Sequence, residues 1–172
     1  MITLIYGGSS SGKSAYAEDY VCQSNCKNRY YLATMLAQDS ESQERVKRHR
    51  NLRAGKDFIT LEQPYDIGNT VETKEDSIIL LECMSNLVAN EMFREGKINS
   101  QAATVSKIIN DIKELDSKVA QLVIVSNDVF EDGLEYDEYT KDYLRALGKI
   151  NAEIAKMADK SVEVIVGIGV ER

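Results

Sequence analysis

Residues 7 to 14 read Gly-Gly-Ser-Ser-Ser-Gly-Lys-Ser, which sets Gly7, Gly12, Lys13 and Ser14 at the spacing of a phosphate-binding loop. The chemistry of such a loop is mainly that of its backbone. Glycines at Gly7, Gly8 and Gly12 let the N–H groups of the run, those of Ser9, Ser10 and Ser11 included, turn inward around an anion without Cβ clashes. The helix that follows adds partial positive charge at its N-terminus. Lys13 would reach the β- and γ-phosphates, and the Ser14 hydroxyl would ligate Mg2+. The plain alternative is a flexible Gly/Ser turn. Context favours the nucleotide: Ile2–Tyr6 is a short apolar, β-branched run that reads as a buried strand, and Ala15–Val21 reads as the start of a helix.

A second carboxylate-bearing segment fits the same chemistry. Ile78–Glu82 is an apolar strand ending in an acid, and a strand-end acid of this kind holds the magnesium shell or polarises its water. Strand-end acids are common by chance, so Glu82 acquires this meaning only beside the first loop.

Residues 45 to 53, Arg-Val-Lys-Arg-His-Arg-Asn-Leu-Arg, concentrate basic side chains as no other part of the chain does, around the single histidine, His49. Ser40 and Gln43 form a capping-box pattern that predicts a helix over 40–52. On it Arg45, His49 and Arg53 recur every four residues and share one face. A solvated basic face and a phosphate-binding face fit this pattern equally well. A neutral imidazole among guanidinium groups is nevertheless what nucleophilic attack on a phosphate requires. The arginines neutralise phosphate oxygens, and their field keeps the ring lone pair available.

The remaining elements must hold these three segments together. Strand-like runs at Ile2–Tyr6, Tyr30–Thr34, Phe58–Leu61, Ile78–Glu82, Leu122–Ser126 and Val162–Ile168 alternate with helical segments. The helical segments are Ala15–Cys26, Ser40–Leu52, Asn86–Arg94, Ala102–Leu115 and Tyr139–Ala158. Alternation predicts an α/β fold of the P-loop type, with a mainly parallel central sheet flanked by helices, spanning residues 1–172 as one nucleotide-binding domain. Such sheets collect ligands at the carboxyl ends of their strands.

Composition narrows the partners. With 172 residues, 43% of them hydrophobic, the chain is expected to bury one core. No apolar run approaches the roughly 20 residues of a membrane helix. The opening residues run straight into strand and loop without a signal-peptide pattern, so a cytoplasmic location is the expectation. A net charge of −7 disfavours nucleic acid. Cys22, Cys26 and Cys83 are too few and too unevenly placed for a disulfide framework, and reduced thiols are expected.

Taken in order, several blocks resemble the bifunctional adenosylcobinamide kinase / adenosylcobinamide-phosphate guanylyltransferases of cobalamin biosynthesis. They are GGSSSGKS at 7–14, YLAT at 31–34, RVKRHRNLR at 45–53, TLE at 60–62, LLEC at 80–83, VSND at 125–128 and VGIGV near the end. The basic block between YLAT and TLE is the discriminating one.

The resemblance implies two reactions: phosphorylation of the corrinoid's aminopropanol hydroxyl by a nucleoside triphosphate, then transfer of GMP from GTP through a guanylylated histidine to that phosphate. It implies His49 as that histidine, with Lys13, as catalytic residues, and Mg2+ held by Ser14 and Glu82. GTP and ATP would contact Gly7 to Ser14, Ala33, Thr34, Met35, Arg50, Asn51, Leu52, Arg53, Glu62 and Glu82. A homo-oligomer, a trimer in the family's manner, is implied as well.

Two places depart from the family pattern. A glycine-rich turn ending in Val-Pro is replaced by DVFEDGLEYDEYTKDY at 128–143, and a family tryptophan is Phe58 here. The first change bears on the loop facing the acceptor. The carboxylates Asp128, Glu131, Asp132 and Glu135 read most simply as a solvated loop. A P-loop kinase for another small molecule, and a nucleotide-dependent switch protein, remain the alternatives.

Overall fold

The computed structural model describes residues 1–37, 39–70, 76–128 and 136–172, with the backbone but not the side chains of Glu41, Ser42, Arg45, Arg48, His49 and Leu52. Seven strands form one sheet: β1 (Ile2–Gly7), β2 (Asn28–Ala33), β3 (Phe58–Glu62), β4 (Ser77–Glu82), β5 (Gln121–Asn127), β6 (Lys160–Ile165) and β7 (Ile168–Glu171). Their spatial order is β3-β2-β4-β5-β1-β6-β7. All neighbours are parallel except β6 and β7. The helices are α1 (Lys13–Cys22), α2 (Ser40–Leu52), α3 (Met84–Met92), α4 (Gln101–Ser117) and α5 (Glu138–Met157).

The central strands β1, β4 and β5 are mainly apolar because both of their faces are covered. Ile78, Ile79, Leu80 and Leu81 of β4 are all fully buried. Successive side chains point to opposite faces. Ile78 and Leu80 join Ile5, Val123 and Val125 against Ala17 and Val21 of α1. Ile79 and Leu81 join Leu4, Leu32 and Ile124 against the apolar faces of α3, α4 and α5. Removing each such side chain from water contributes about 1.5–3 kcal/mol. In α4 the buried apolar residues are Val105, Ile108, Ile112 and Leu115, the stripe of a sheet-covering helix, with Ile109 at its margin. Side-chain caps start α4 and α5: Ser100 accepts from the Ala103 N–H and Asp137 from the Thr140 N–H.

Register matters more to the site than packing does. Ala33 pairs with both Glu62 and Glu82, and Gly7 pairs with Asn127. The carboxyl ends of β1 to β5 therefore finish along one edge of the sheet.

Three sequence expectations are corrected. The run Val162–Ile168 is not one strand. Val166 and Gly167 both take positive φ, 51° and 80°, and reverse the chain into the β6–β7 hairpin. The first helix ends at Cys22, where the Gln23 and Ser24 N–H groups close its last turn, so Cys26 lies beyond it rather than at its end. Helix α2 ends at Leu52, which puts Arg53 in the following turn and off the helical face assigned to it.

Candidate active site

The loop between β1 and α1 takes the shape its glycines permit. Gly12 caps α1 with φ 86°, a conformation that costs a side chain dearly and glycine little. A Cβ on Gly7 would lie 2.5 Å from the Val164 carbonyl oxygen and 2.8 Å from Ser11 Oγ. Glycine is thus required there by close approach. The Gly167 N–H donates to the Ser11 carbonyl at 2.7 Å, so the β6–β7 turn braces the loop from outside. Lys13 is 8% exposed as a residue, and its ammonium donates to the Gly8 carbonyl at 3.1 Å, curled over its own loop. Burial pulls its pKa below the usual lysine value, against the opposite pull of nearby Glu82.

At the end of β4, the Ser14 hydroxyl donates to Glu82 Oε1, and the Tyr31 hydroxyl donates to Glu82 Oε2 at 3.0 Å. Both carboxylate oxygens are held. Burial, and secondarily Glu82, raises the Tyr31 phenol's pKa and keeps it a proton donor. The Cys83 thiol, pushed up by burial, lies 3.0 Å from Ser85 Oγ, which accepts from Asn127 Nδ2 at 2.7 Å. The Tyr143 hydroxyl donates to the Ser85 carbonyl at 3.2 Å, and burial raises its pKa to about 12.

Apart from Tyr143, these side chains line one cavity of about 860 Å³ at the carboxyl edge of the sheet. One wall is the loop, through Ser9, Ser10, Lys13 and Ser14. Opposite it lies α2, through Gln43, Val46, Lys47, Arg50 and Asn51, residues spaced as one helical face. The Arg50 guanidinium forms an ion pair with the Glu62 carboxylate at the end of β3. Arg53 is buried to 7% exposure, and its guanidinium carbon sits 3.4 Å from the centroid of the Tyr31 ring.

The predicted site residues divide as follows. Ser9, Ser10, Lys13, Ser14, Ala33, Met35, Arg50, Asn51, Arg53, Glu62 and Glu82 meet around the cavity. Gly7, Gly8, Ser11 and Gly12 shape the loop behind it. Thr34 is fully buried beneath the floor, donating from its hydroxyl to the Cys83 carbonyl at 2.8 Å. His49 lies within α2, but its side chain and that of Leu52 fall outside the described residues, as do Glu131, Asp132 and Glu135 of the acidic loop.

Tyr31, Ser85 and Asn127 were missed. The signal for Tyr31 needs register: Tyr31 pairs with Leu80 and Ala33 with Glu82, so Tyr31 and Glu82 project from the same face two positions apart. Asn127 ends an apolar strand, as Glu82 does, and could have been suspected by that parallel.

The arrangement can bind a polyphosphate at the loop, set a carboxylate and a hydroxyl where a hard cation would bridge them, and offer neutral polar groups from the start of α3 and the end of β5. Among the described residues no group of three or more His, Cys, Asp or Glu side chains forms a metal cluster of its own. A cation here would therefore depend on phosphate oxygens and water for the rest of its shell.

Comparison with known proteins agrees. The sequence model of a family described as cobinamide kinase / cobinamide phosphate guanyltransferase matches residues 3–171. The bifunctional adenosylcobalamin biosynthesis protein CobU of Salmonella typhimurium is 29% identical over 182 residues, spanning 99% of both chains. CobU of Escherichia coli is 26% identical over 182 residues, again 99% of each. The bifunctional protein CobP of Pseudomonas aeruginosa is 23% identical, over 98% of this chain and 95% of its own. Among solved structures, an ATPase of a bacterial type III secretion system superposes with a TM-score of 0.55 at 10% identity, over 99% of this chain and 56% of that one. That likeness concerns the fold alone.

Proposed function

We propose, for a chain that belongs to the cobinamide kinase / cobinamide phosphate guanyltransferase family, that the cavity between the phosphate loop and α2 serves both reactions. In the kinase reaction a cobinamide hydroxyl oxygen attacks the γ-phosphorus of a nucleoside triphosphate. The bond to the β–γ bridging oxygen breaks, the hydroxyl proton is released, and a nucleoside diphosphate departs. In the guanylyl transfer a ring nitrogen of His49 attacks the α-phosphorus of GTP and pyrophosphate departs. An oxygen of cobinamide phosphate then attacks the same phosphorus, the P–N bond breaks, and GDP-cobinamide leaves a free imidazole.

Each residue has a physical task in this reading. The loop amides and Lys13 bind the phosphates, and the phosphate charge replaces the solvation that Lys13 lacks. Lys47 and Arg50 on α2 offer cationic partners to the pyrophosphate. Glu62, ion-paired with Arg50 at the end of β3, would accept from a nucleobase N–H. Ser85 and Asn86 at the start of α3 and Asn127 at the end of β5 give the cavity uncharged hydrogen-bonding groups, which suits an alcohol acceptor.

Mg2+ fits the donor set, because Ser14 Oγ and Glu82 Oε1 are hard oxygens brought into contact beside the loop. Bound there it would supply charge neutralisation at the phosphate oxygens. A cytoplasmic homo-oligomer, trimeric by family resemblance, belongs to the same reading. The exposure of Ile165, Val166, Ile168 and Val170 on the edge hairpin supports an association surface. No helix among the described residues is long and apolar enough to cross a membrane.

The observation that carries the proposal is that the loop, the Ser14–Glu82 pair and α2, the helix bearing the chain's one histidine, border the same cavity. The test is mass spectrometry of products after incubation with cobinamide, GTP and Mg2+. Cobinamide phosphate should appear first and GDP-cobinamide second, with one pyrophosphate per GDP-cobinamide. Phosphorylation of cobinamide with no guanylyl product would reduce the protein to a kinase. GTP consumption indifferent to cobinamide would overturn the acceptor.

A further inference from the structure

Tyr31 is 4% exposed and held from three directions. Its ring meets Phe58 edge-on, with centroids 6.0 Å apart at 82°. The Arg53 guanidinium lies on its face, and its hydroxyl donates to Glu82 Oε2. Glu82 Oε1 is the oxygen that faces Ser14. Arg53 immediately follows α2, so a continuous set of contacts runs from the end of that helix, through one aromatic ring, to the carboxylate beside the phosphate loop.

We propose that Tyr31 is a positioning residue that fixes the rotation of the Glu82 carboxylate, and that the Arg53 stack on its ring lets the C-terminal end of α2 set that rotation. The inference rests on the reading of Ser14 and Glu82 as cation ligands. A carboxylate fixed through one oxygen presents the other in a single direction. Freed, it rotates and loses part of the advantage of a preformed ligand. The guanylyl-transfer helix and the ligand pair of the kinase step then share a mechanical element.

The test is a double-substitution cycle read by metal binding rather than by activity. Mn2+ stands in for Mg2+, and its dissociation constant for the protein–GTP complex is measured by electron paramagnetic resonance in wild type, Tyr31→Phe, Arg53→Lys and the double variant. Tyr31→Phe keeps the ring between Phe58 and Arg53 and removes only the hydroxyl. It should weaken Mn2+ about tenfold, in keeping with one hydrogen bond to a charged acceptor, while leaving GTP affinity in EDTA unchanged. Arg53→Lys keeps the charge but loses the planar stack, and should weaken Mn2+ by a few-fold. The double variant should be no weaker for Mn2+ than Tyr31→Phe alone, because the stack acts only through the hydroxyl.

Losses that multiply in the double variant, or a Tyr31→Phe affinity equal to wild type, would overturn the inference while leaving the site reading in place. A wild-type protein that forms no Mn2+–GTP complex would take down both. Thermal unfolding of each variant separates these outcomes from misfolding. Should Tyr31→Phe unfold, Glu82→Gln supplies the comparison, since the inference requires Arg53→Lys to have no effect on Mn2+ in that background.

Discussion

The Ser14 hydroxyl donates to Glu82 Oε1, joining the second residue of α1 to the last residue of β4 across the mouth of the phosphate loop. The two residues lie 68 positions apart in sequence and meet because β4 and β1 both flank β5. If this pair organises the metal, its charge matters most as the transition state develops. Glu82→Gln should lower kinase turnover about 100-fold or more while changing GTP affinity less than about threefold. Equal losses in steady-state turnover and in calorimetric affinity would mark Glu82 as a structural strand-end acid.

Lys13 predicts a proton linkage. Its folded-state pKa lies below the ordinary 10.5 because it is buried, and bound phosphate should restore the charged form. Between the lowered pKa and 10.5 the free protein holds fewer protons than the complex, so binding takes up a proton and affinity falls as pH rises through that window. Calorimetry at a pH inside that window, in two buffers of different ionisation enthalpy, should show proton uptake in wild type and none in Lys13→Ala. At neutral pH, Lys13→Ala should bind triphosphate about 30-fold more weakly.

Two neighbouring glycines should behave differently. A methyl group at Gly7 meets the Val164 backbone at 2.5 Å, whereas one at Gly8 meets nothing within 4 Å. Gly7→Ala should destabilise by about 2–3 kcal/mol and loosen the loop, and Gly8→Ala by less than about 0.5 kcal/mol. Thermal unfolding checks this, with Gly7→Ala expected to fall by about 4–12 °C. Similar behaviour of the two would remove the close-approach argument.

Away from the cavity, Asp66 pairs with Lys107 and Arg94, each at 2.8 Å. Hydrogen bonding from Lys107, then Arg94, holds its carboxyl below the ordinary 3.8. The pairing therefore stabilises above about pH 4, and its contribution is lost as pH falls through the folded-state value. Asp66→Asn should lower stability by about 1 kcal/mol at neutral pH, and the difference from wild type should vanish in urea unfolding at about pH 2.

The phosphate-loop half of the candidate site was legible in the sequence because its pattern is local. Eight consecutive residues carry the loop, and the strand before it and the helix after it can be read from a short window. The alternating apolar runs likewise identified the parallel sheet. What escaped depended on register or on single backbone torsions. Tyr31 looks like a core aromatic until β2 is paired with β4. The β6–β7 turn at Val166 and Gly167 is hidden in an apolar run, because a β-branched residue at positive φ is not what a turn signal leads one to expect. Arg53 fits the helical period, yet the helix stops one residue before it, and the guanidinium turns onto an aromatic ring.

The central claim is that the one histidine of the chain carries GMP from GTP to the acceptor. Intact-mass spectrometry after incubation with GTP and Mg2+, without acceptor, tests it directly. A histidine nucleophile forms a phosphoramidate, labile to acid and comparatively stable to alkali. The account predicts an adduct of one GMP per chain with release of pyrophosphate, lost on mild acid treatment and absent from His49→Ala, while His49→Ala still phosphorylates cobinamide. An adduct that persists in His49→Ala, or guanylyl transfer at the wild-type rate without the imidazole, would contradict it.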